Sequence, residues 1–344
     1  MFGNTLSTTI RSGALLISGV ALAVSTLAVA TGASASSVRP SQLATERAAI
    51  ARFQAADQRL QDVGWKLARG NVAFCETVVP SVGLQLQDLA SYGKPRIARA
   101  ALGFEGDFAV QTAARGSPAA LSGAFAVNRE IARLGSADPN AWEAEARRHW
   151  ERLTRAHDHV DRLLRERGRI VLGFADGSQS ELQPVPVCAT RFELASEGAR
   201  AMADGERVLI GMEFPGFEYD EARFAGVVAH ELAHNVLGHS DWLDRNGRSQ
   251  RNVRRIEREA DRLMPWLLAN AGYDPEAAVR FMTSWGPWND GWIFRNRSHD
   301  GWDERAEFIA GEIPRIRALL AANRKADWST QFRREVDPMA GFAD

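Results

Sequence analysis

The stretch Val227-Val228-Ala229-His230-Glu231-Leu232-Ala233-His234 holds the groups of this chain best suited to metal chemistry. On a helix, His230 and His234 stand one above the other on a single face. Two neutral imidazoles so placed can hold one zinc ion, with Glu231 beside it as a candidate general base. Downstream, Arg255-Ile256-Glu257-Arg258-Glu259-Ala260-Asp261 offers a carboxylate at Glu257 and another at Asp261. Their i,i+4 spacing sets both on one helical face. A catalytic zinc takes three protein ligands and keeps a fourth position open, so Glu257 can complete the set begun by the two histidines. Asp261 is then expected behind the ligands, accepting the N–H of a ligating imidazole and fixing its tautomer. His239, five residues past His234, lies off the shared face and reads as a helix-end histidine rather than a further ligand.

The segments HELAHNVLGH (His230 to His239), EREAD (Glu257 to Asp261) and AGYDPEAA (Ala271 to Ala278) resemble the M48 family of zinc metallopeptidases over roughly residues 187 to 317. The resemblance implies peptide-bond hydrolysis, with His230, His234 and Glu257 on one zinc ion (Zn2+) and Glu231 acting as base on a zinc-bound water. Ser298-His299, with Arg305 six residues beyond the histidine, is similar to the family's Thr-His-Pro and Arg pattern, with Asp300 in place of the proline. It implies that His299 and Arg305 face the zinc and stabilise the oxyanion. In such peptidases an edge strand upstream of the metal helix holds the substrate extended, and residues 208–212 are the candidate for it, an ordinary core strand being the alternative. Where the family carries Asn-Ala before this strand, this chain has Arg200-Ala201.

The remaining elements must position those groups. Arg11 is the only charge ahead of an apolar run over residues 13–30, and Ala33-Ser34-Ala35 follows as a small-x-small cleavage signal. The reading is a signal peptide over residues 1–35 that exports the chain to the periplasm or cell envelope, or else an uncleaved N-terminal anchor. Export makes the two cysteines informative: Cys75 and Cys188 either pair in an oxidising compartment or remain two buried thiols. Apolar residues at Ile50, Phe53, Leu60, Val63, Leu67 and Val72 recur near the helical period, which predicts helix from residue 42 to about 92.

Residues 96–187 read differently. Leu102-Gly103-Phe104, Phe108-Ala109-Val110, Arg115-Gly116-Ser117-Pro118-Ala119-Ala120 and Ser122-Gly123-Ala124 resemble the front half of a PDZ domain of the bacterial protease type. That implies a module in which a peptide adds as an extra strand. This chain has Asn128-Arg129 where the family has Gly-Asp. A charged amphipathic helix is expected from Pro139 to about Arg167, with Trp142, Trp150, Leu153 and Val160 inward and His157 and His159 at the surface. A closing hairpin follows from Arg169 toward Cys188.

The expected organisation is a signal peptide (1–35), a helical region packing on the peptidase domain (36–95), a PDZ-like insert (96–187) and a zinc-peptidase domain (188–344). The fold class is α+β, a mostly helical peptidase domain with a small edge sheet plus a β-rich insert. Residues 241–251 are polar and read as a loop. Trp285, Trp288, Trp292 and Trp302 could form a cleft rim, a peripheral membrane contact or simple core packing. A formal net charge of −1 gives no support to nucleic-acid binding. The implied partner is a protein or peptide substrate; oligomeric state stays open. A second function class also stays open, an envelope peptide-binding or chaperone-like factor with a structural zinc.

Overall fold

A computed structural model describes residues 38–144, 150–289 and 300–341. The leader-like segment, His299, Trp292 and the side chain of Trp288 lie outside the described residues. The chain mixes helix and strand, as expected of the α+β class.

Helix α1 (Pro40–Gly70) opens with proline at its first turn, where the missing N–H costs nothing and the fixed φ suits a helix. The helix stops at Gly70, well short of residue 92. There its backbone passes so close to Asn270 and Ala271 that a Cβ would come within 2.5 Å of the Asn270 oxygen. Asn71 caps the end and is wholly buried, donating to the carbonyls of Leu67 and Leu267 and accepting from Trp328 Nε1 at 3.0 Å. Gly70-Asn71 is a local stop signal that the helical reading to residue 92 passes over, and tertiary contact reinforces it.

Strand β1 (Val78–Ser81) then pairs antiparallel with β7 (Val185–Cys188). Cys75 and Cys188 form a disulfide, with Cα atoms 5.6 Å apart, at the base of this two-stranded neck. Between the two strands lies a second hydrophobic core, running from Val82 to Leu182. It is built from β2 (Leu84–Asp88), α2 (Pro95–Leu102), β3 (Phe108–Ala113), α3 (Pro118–Leu121), β4 (Ile131–Leu134), α4 (Glu151–Arg167), β5 (Ile170–Phe174) and β6 (Gln179–Leu182). β2 pairs antiparallel with β3, and β4, β5 and β6 form an antiparallel sheet in that order. The core of this region therefore begins at Val82 rather than near 96, since Leu84 and Leu86 are part of it, while the neck strands pack on the first core.

Two details of the insert bear on function. Asn128 adopts the left-handed conformation (φ 67°), which asparagine tolerates better than other residues with a Cβ, and its amide joins Gln54 and Gln87. On the edge of β2 that faces α4, the Leu86 N–H donates to His157 Nε2 at 3.4 Å. His157 thus faces the insert's sheet rather than solvent, and His159 Nε2 lies 3.1 Å from the Leu134 carbonyl. The expected long helix from Pro139 is a short turn at Pro139–Ala141 followed by α4 from Glu151, which leaves Trp142 outside the helix and Trp150 exposed.

Past the neck, β8 (Arg191–Ala195), β9 (Ala201–Ala203) and β10 (Arg207–Gly211) form a sheet in the order β8-β10-β9, with β8 parallel and β9 antiparallel to β10. Residues 208–211 therefore belong to the central strand, and Val208 and Ile210 are fully buried. The edge is β9. Beneath the sheet lie α5 (Glu221–Val236), α6 (His239–Asn246), α7 (Gln250–Asn270), α8 (Glu276–Asn289), α9 (Trp302–Ala321) and α10 (Trp328–Gln331). With α1, all of these but α6 build the first and larger core, which includes Trp266, Phe224, Leu232 and Trp285. Helix α6 replaces the expected loop at 241–251, because Trp242 and Leu243 bury against Ile256 and Val336. No helix among the described residues is long and apolar enough to cross a membrane.

Candidate metal centre

Helix α5 is fixed at its start by Asp220, whose carboxylate accepts from the Arg223 N–H at 2.8 Å. One turn before His230, Gly226 lies against Phe281 so closely that a Cβ would meet it at 2.9 Å. Glycine there lets α5 and α8 approach. Helix α7 starts under a Ser249 cap and packs along α5, which brings Glu257 opposite the two histidines.

Their metal-binding atoms converge. His230 Nε2 lies 3.3 Å from His234 Nε2 and 3.3 Å from Glu257 Oε2, and His234 Nε2 lies 3.5 Å from Glu257 Oε1. A tetrahedral zinc with bonds of about 2.0–2.1 Å holds its ligand atoms roughly 3.3–3.4 Å apart. The two imidazole nitrogens lie at that edge length, Glu257 approaches each of them through a different oxygen, and one ligand atom from each of the three residues falls within 4.8 Å of the others, a cluster that could hold a metal ion.

Asp261, fully buried, sits behind His230 with Oδ1 at 3.1 Å from Nδ1, within reach though outside good hydrogen-bond alignment. Arg305 on α9 grips Asp261 through two parallel bonds, Nε to Oδ2 at 2.6 Å and Nη2 to Oδ1 at 2.8 Å. The guanidinium was expected at an oxyanion; its clearest task is to hold Asp261, while it also lines the cavity beside the histidines.

Electrostatics separate the groups. Burial would by itself lower the pKa of His230, but Asp261 and Glu257 alongside raise it to about 10. Burial pushes His234 in the opposite direction, to about 3. Two imidazoles this close accommodate one proton between them, and the carboxylates place it on His230. Burial also raises Glu231 to about 7, partly offset by His230. A carboxyl that titrates near neutrality can both take and give a proton at physiological pH.

The groups face a cavity of about 310 Å³ whose wall includes Ala201, Met202, Phe214, Phe281 and Trp285. Trp285 therefore contributes to the wall while packing on Phe214 and Phe281. The β9 rim is aimed by Asn235, the residue after His234, whose Oδ1 accepts the Gly205 N–H at 2.8 Å. The Gly211 N–H donates to the Arg200 carbonyl and the Asp204 N–H to the Arg207 carbonyl. By antiparallel alternation Met202 then turns its backbone groups toward β10, and Ala201 and Ala203 turn theirs to an edge that no described strand occupies.

Sequence reasoning missed His239 and Glu259. Gly238 adopts the left-handed conformation (φ 66°, ψ 34°), ending α5 and starting α6. The turn brings His239 back against His234, with their Nδ1 atoms 2.9 Å apart. Glu259 lies between Glu257 and Asp261 in the sequence and is fully buried. Despite that burial, His239 and Arg334 hold its carboxyl down at about 2.

No known family model matches the chain, and neither a curated protein nor a solved structure is significantly similar to it.

Proposed function

We propose that this chain is a zinc-dependent endopeptidase of the cell envelope, acting on protein or peptide substrates with Glu231 as general base. The observation that carries this reading is the convergence of His230 Nε2, His234 Nε2 and the Glu257 carboxylate in a cluster that could hold a metal ion. Two imidazoles and one carboxylate suit a zinc that keeps a position open for chemistry. When bound, zinc supplies a Lewis acid that polarises the scissile carbonyl and eases deprotonation of water.

The chain's own residues do the rest. Ala201 and Ala203 on the open edge of β9 hold an extended substrate by main-chain hydrogen bonds. Glu231 removes a proton from the attacking water and passes it to the leaving amine. Arg305, kept charged and oriented by Asp261, acts with His299 on the negative charge that develops on the carbonyl oxygen. The Cys75–Cys188 disulfide suits an oxidising compartment and accords with export. Peptide capture by the insert is the weaker reading, because the Leu86 N–H on the β2 edge is already paired with His157.

Glu231→Gln preserves volume and removes the base. Purified Glu231→Gln protein is expected to keep one zinc per chain and to lose about 10²–10⁴-fold in the cleavage of an unfolded protein substrate. Full activity in that variant would overturn the proposal.

A further inference from the structure

His239 has no assigned part in the chemistry above, yet it is 1% exposed and both of its ring nitrogens are engaged. Its Nδ1 lies 2.9 Å from Nδ1 of His234, and its Nε2 lies 2.9 Å from Glu259 Oε2. Glu259 is in turn surrounded by donors. Arg334 Nε approaches both of its oxygens at 3.0 Å, and the backbone N–H groups of Glu335 and Val336 donate to Oε1, the latter at 2.9 Å.

Those partners belong to a C-terminal strap that crosses α6 and α7. Arg334 Nη2 also donates to the Leu237 carbonyl at the end of the metal helix, at 3.1 Å. Trp242 Nε1 donates to the Asp337 carbonyl at 2.9 Å, and Asn246 Nδ2 donates to the Ala340 carbonyl at 2.9 Å. The strap is thereby latched at both ends of its path around Glu259.

Counting protons along the row fixes its direction. A carboxylate only accepts, so His239 Nε2 must carry a hydrogen toward Glu259. If His239 then offers a lone pair at Nδ1, His234 must present its N–H there, and its own lone pair falls on Nε2. That is the atom lying 3.3 Å from His230 Nε2 and 3.5 Å from Glu257. The reverse order, with His239 donating from Nδ1, would put the hydrogen of His234 on Nε2 and block its use as a ligand. One assignment pairs every nitrogen and leaves a ligand lone pair in place.

We propose that His239, held by Glu259 and the C-terminal strap, is a positioning residue that sets the tautomer and ring angle of the metal ligand His234. The strap over residues 332–340 is therefore part of the metal site, although it touches no ligand atom. The inference rests on the reading of His230, His234 and Glu257 as a zinc site, and its test separates the two.

Zinc affinity is measured by competition with a chromophoric chelator on the full mature chain, for the wild type, His239→Ala, His239→Gln and Arg334→Ala. Removing the partner of a ligating imidazole typically weakens metal affinity by about 10–100-fold. His239→Ala is expected to fall in that range while still binding one zinc. His239→Gln, whose amide oxygen can accept from His234 and whose NH₂ can donate to Glu259, is expected to recover most of the loss. Arg334→Ala is expected to lose less than His239→Ala. Nitrogen-15 spectra of the zinc-free protein should show His234 as a single Nδ1–H tautomer, held there by His239 with no metal to impose it. If His239→Ala fails to fold, the Gln variant, Arg334→Ala and the wild-type tautomer still decide the question.

Wild-type affinity in His239→Ala, no recovery in His239→Gln relative to Ala, or an Nε2–H tautomer at His234 in the zinc-free protein would overturn the positioning role while leaving the zinc site standing. A wild type that binds no zinc would overturn both readings.

Discussion

The two histidines of the candidate metal centre are one turn apart on the same helix, yet they are backed in different ways. His230 meets a carboxylate directly, Asp261, which is clamped by Arg305 from α9. His234 reaches a carboxylate only through a second imidazole, and its Glu259 is clamped by Arg334 and two backbone N–H groups of the strap. Both arms end in a buried carboxylate beside an arginine. Helix geometry explains the difference. Glu257 and Asp261 share a face of α7 that looks at α5, whereas Glu259, two residues from each, points roughly to the other side. A carboxylate there is too far from His234 to touch it, and the turn at Gly238 supplies an imidazole to bridge the gap. A ligand's support can come from whichever element closes the distance, so the direct arm depends on core helices and the relayed arm on the chain's end.

The comparison can be broken from its stronger side first. Arg305→Ala would leave the Asp261 charge buried with its main partner gone, an event that typically costs about 3–5 kcal/mol. The expected result is a large fall in thermal midpoint and weakened zinc binding. A midpoint within a degree of the wild type would show that the direct arm does not depend on this pair. Arg334→Ala should cost less, about 1–3 kcal/mol, because Glu259 keeps His239 and two backbone donors. Equal or larger destabilisation than Arg305→Ala in chemical denaturation would reverse the ranking of the two arms.

Proton release sharpens the contrast. Without metal, His230 holds its proton up to about pH 10 while His234 is neutral above about pH 3. Zinc requires both to be neutral, so binding near pH 7 to 8 should release close to one proton, from the direct arm. Calorimetry in buffers of different ionisation enthalpy reads this number, and apparent affinity should rise about tenfold per pH unit below pH 10 on this account. The stability of the metal-free protein carries the opposite sign. The His230 pairing contributes fully below the unfolded value of about 6.5 and is lost as pH rises through about 10. Release of no proton, or affinity flat between pH 7 and 9, would contradict this assignment.

The direct arm was legible in the sequence and the relayed arm was not. His230, His234, Glu257 and Asp261 share helical faces at i,i+4 spacing, so their convergence needed only two helices to pack. His239 was hidden because its position depends on a left-handed Gly238 and not on a helical period. The cysteine pair was one of two readings left by an even count and a leader-like segment, the other being two buried thiols, and the disulfide bears out the first. The edge strand was misplaced because Val208-Leu209-Ile210 carries the strong β signal of a buried central strand, while Ala201-Met202-Ala203 carries none and owes its strand to pairing with β10. Likewise α6 hid within a polar run, anchored only by Trp242 and Leu243. Leu84 and Leu86 alternate at strand spacing and lie in the core of the 82–182 region, a signal lost when the helical reading is carried on to residue 92.

The most direct test of the account is the zinc content of the purified protein by elemental analysis, for wild type, Glu257→Ala and His234→Ala side by side. The account predicts one zinc per chain in the wild type and its loss in both variants. A wild type without zinc, or a Glu257→Ala variant that keeps it, would contradict the three-ligand site and everything built on it.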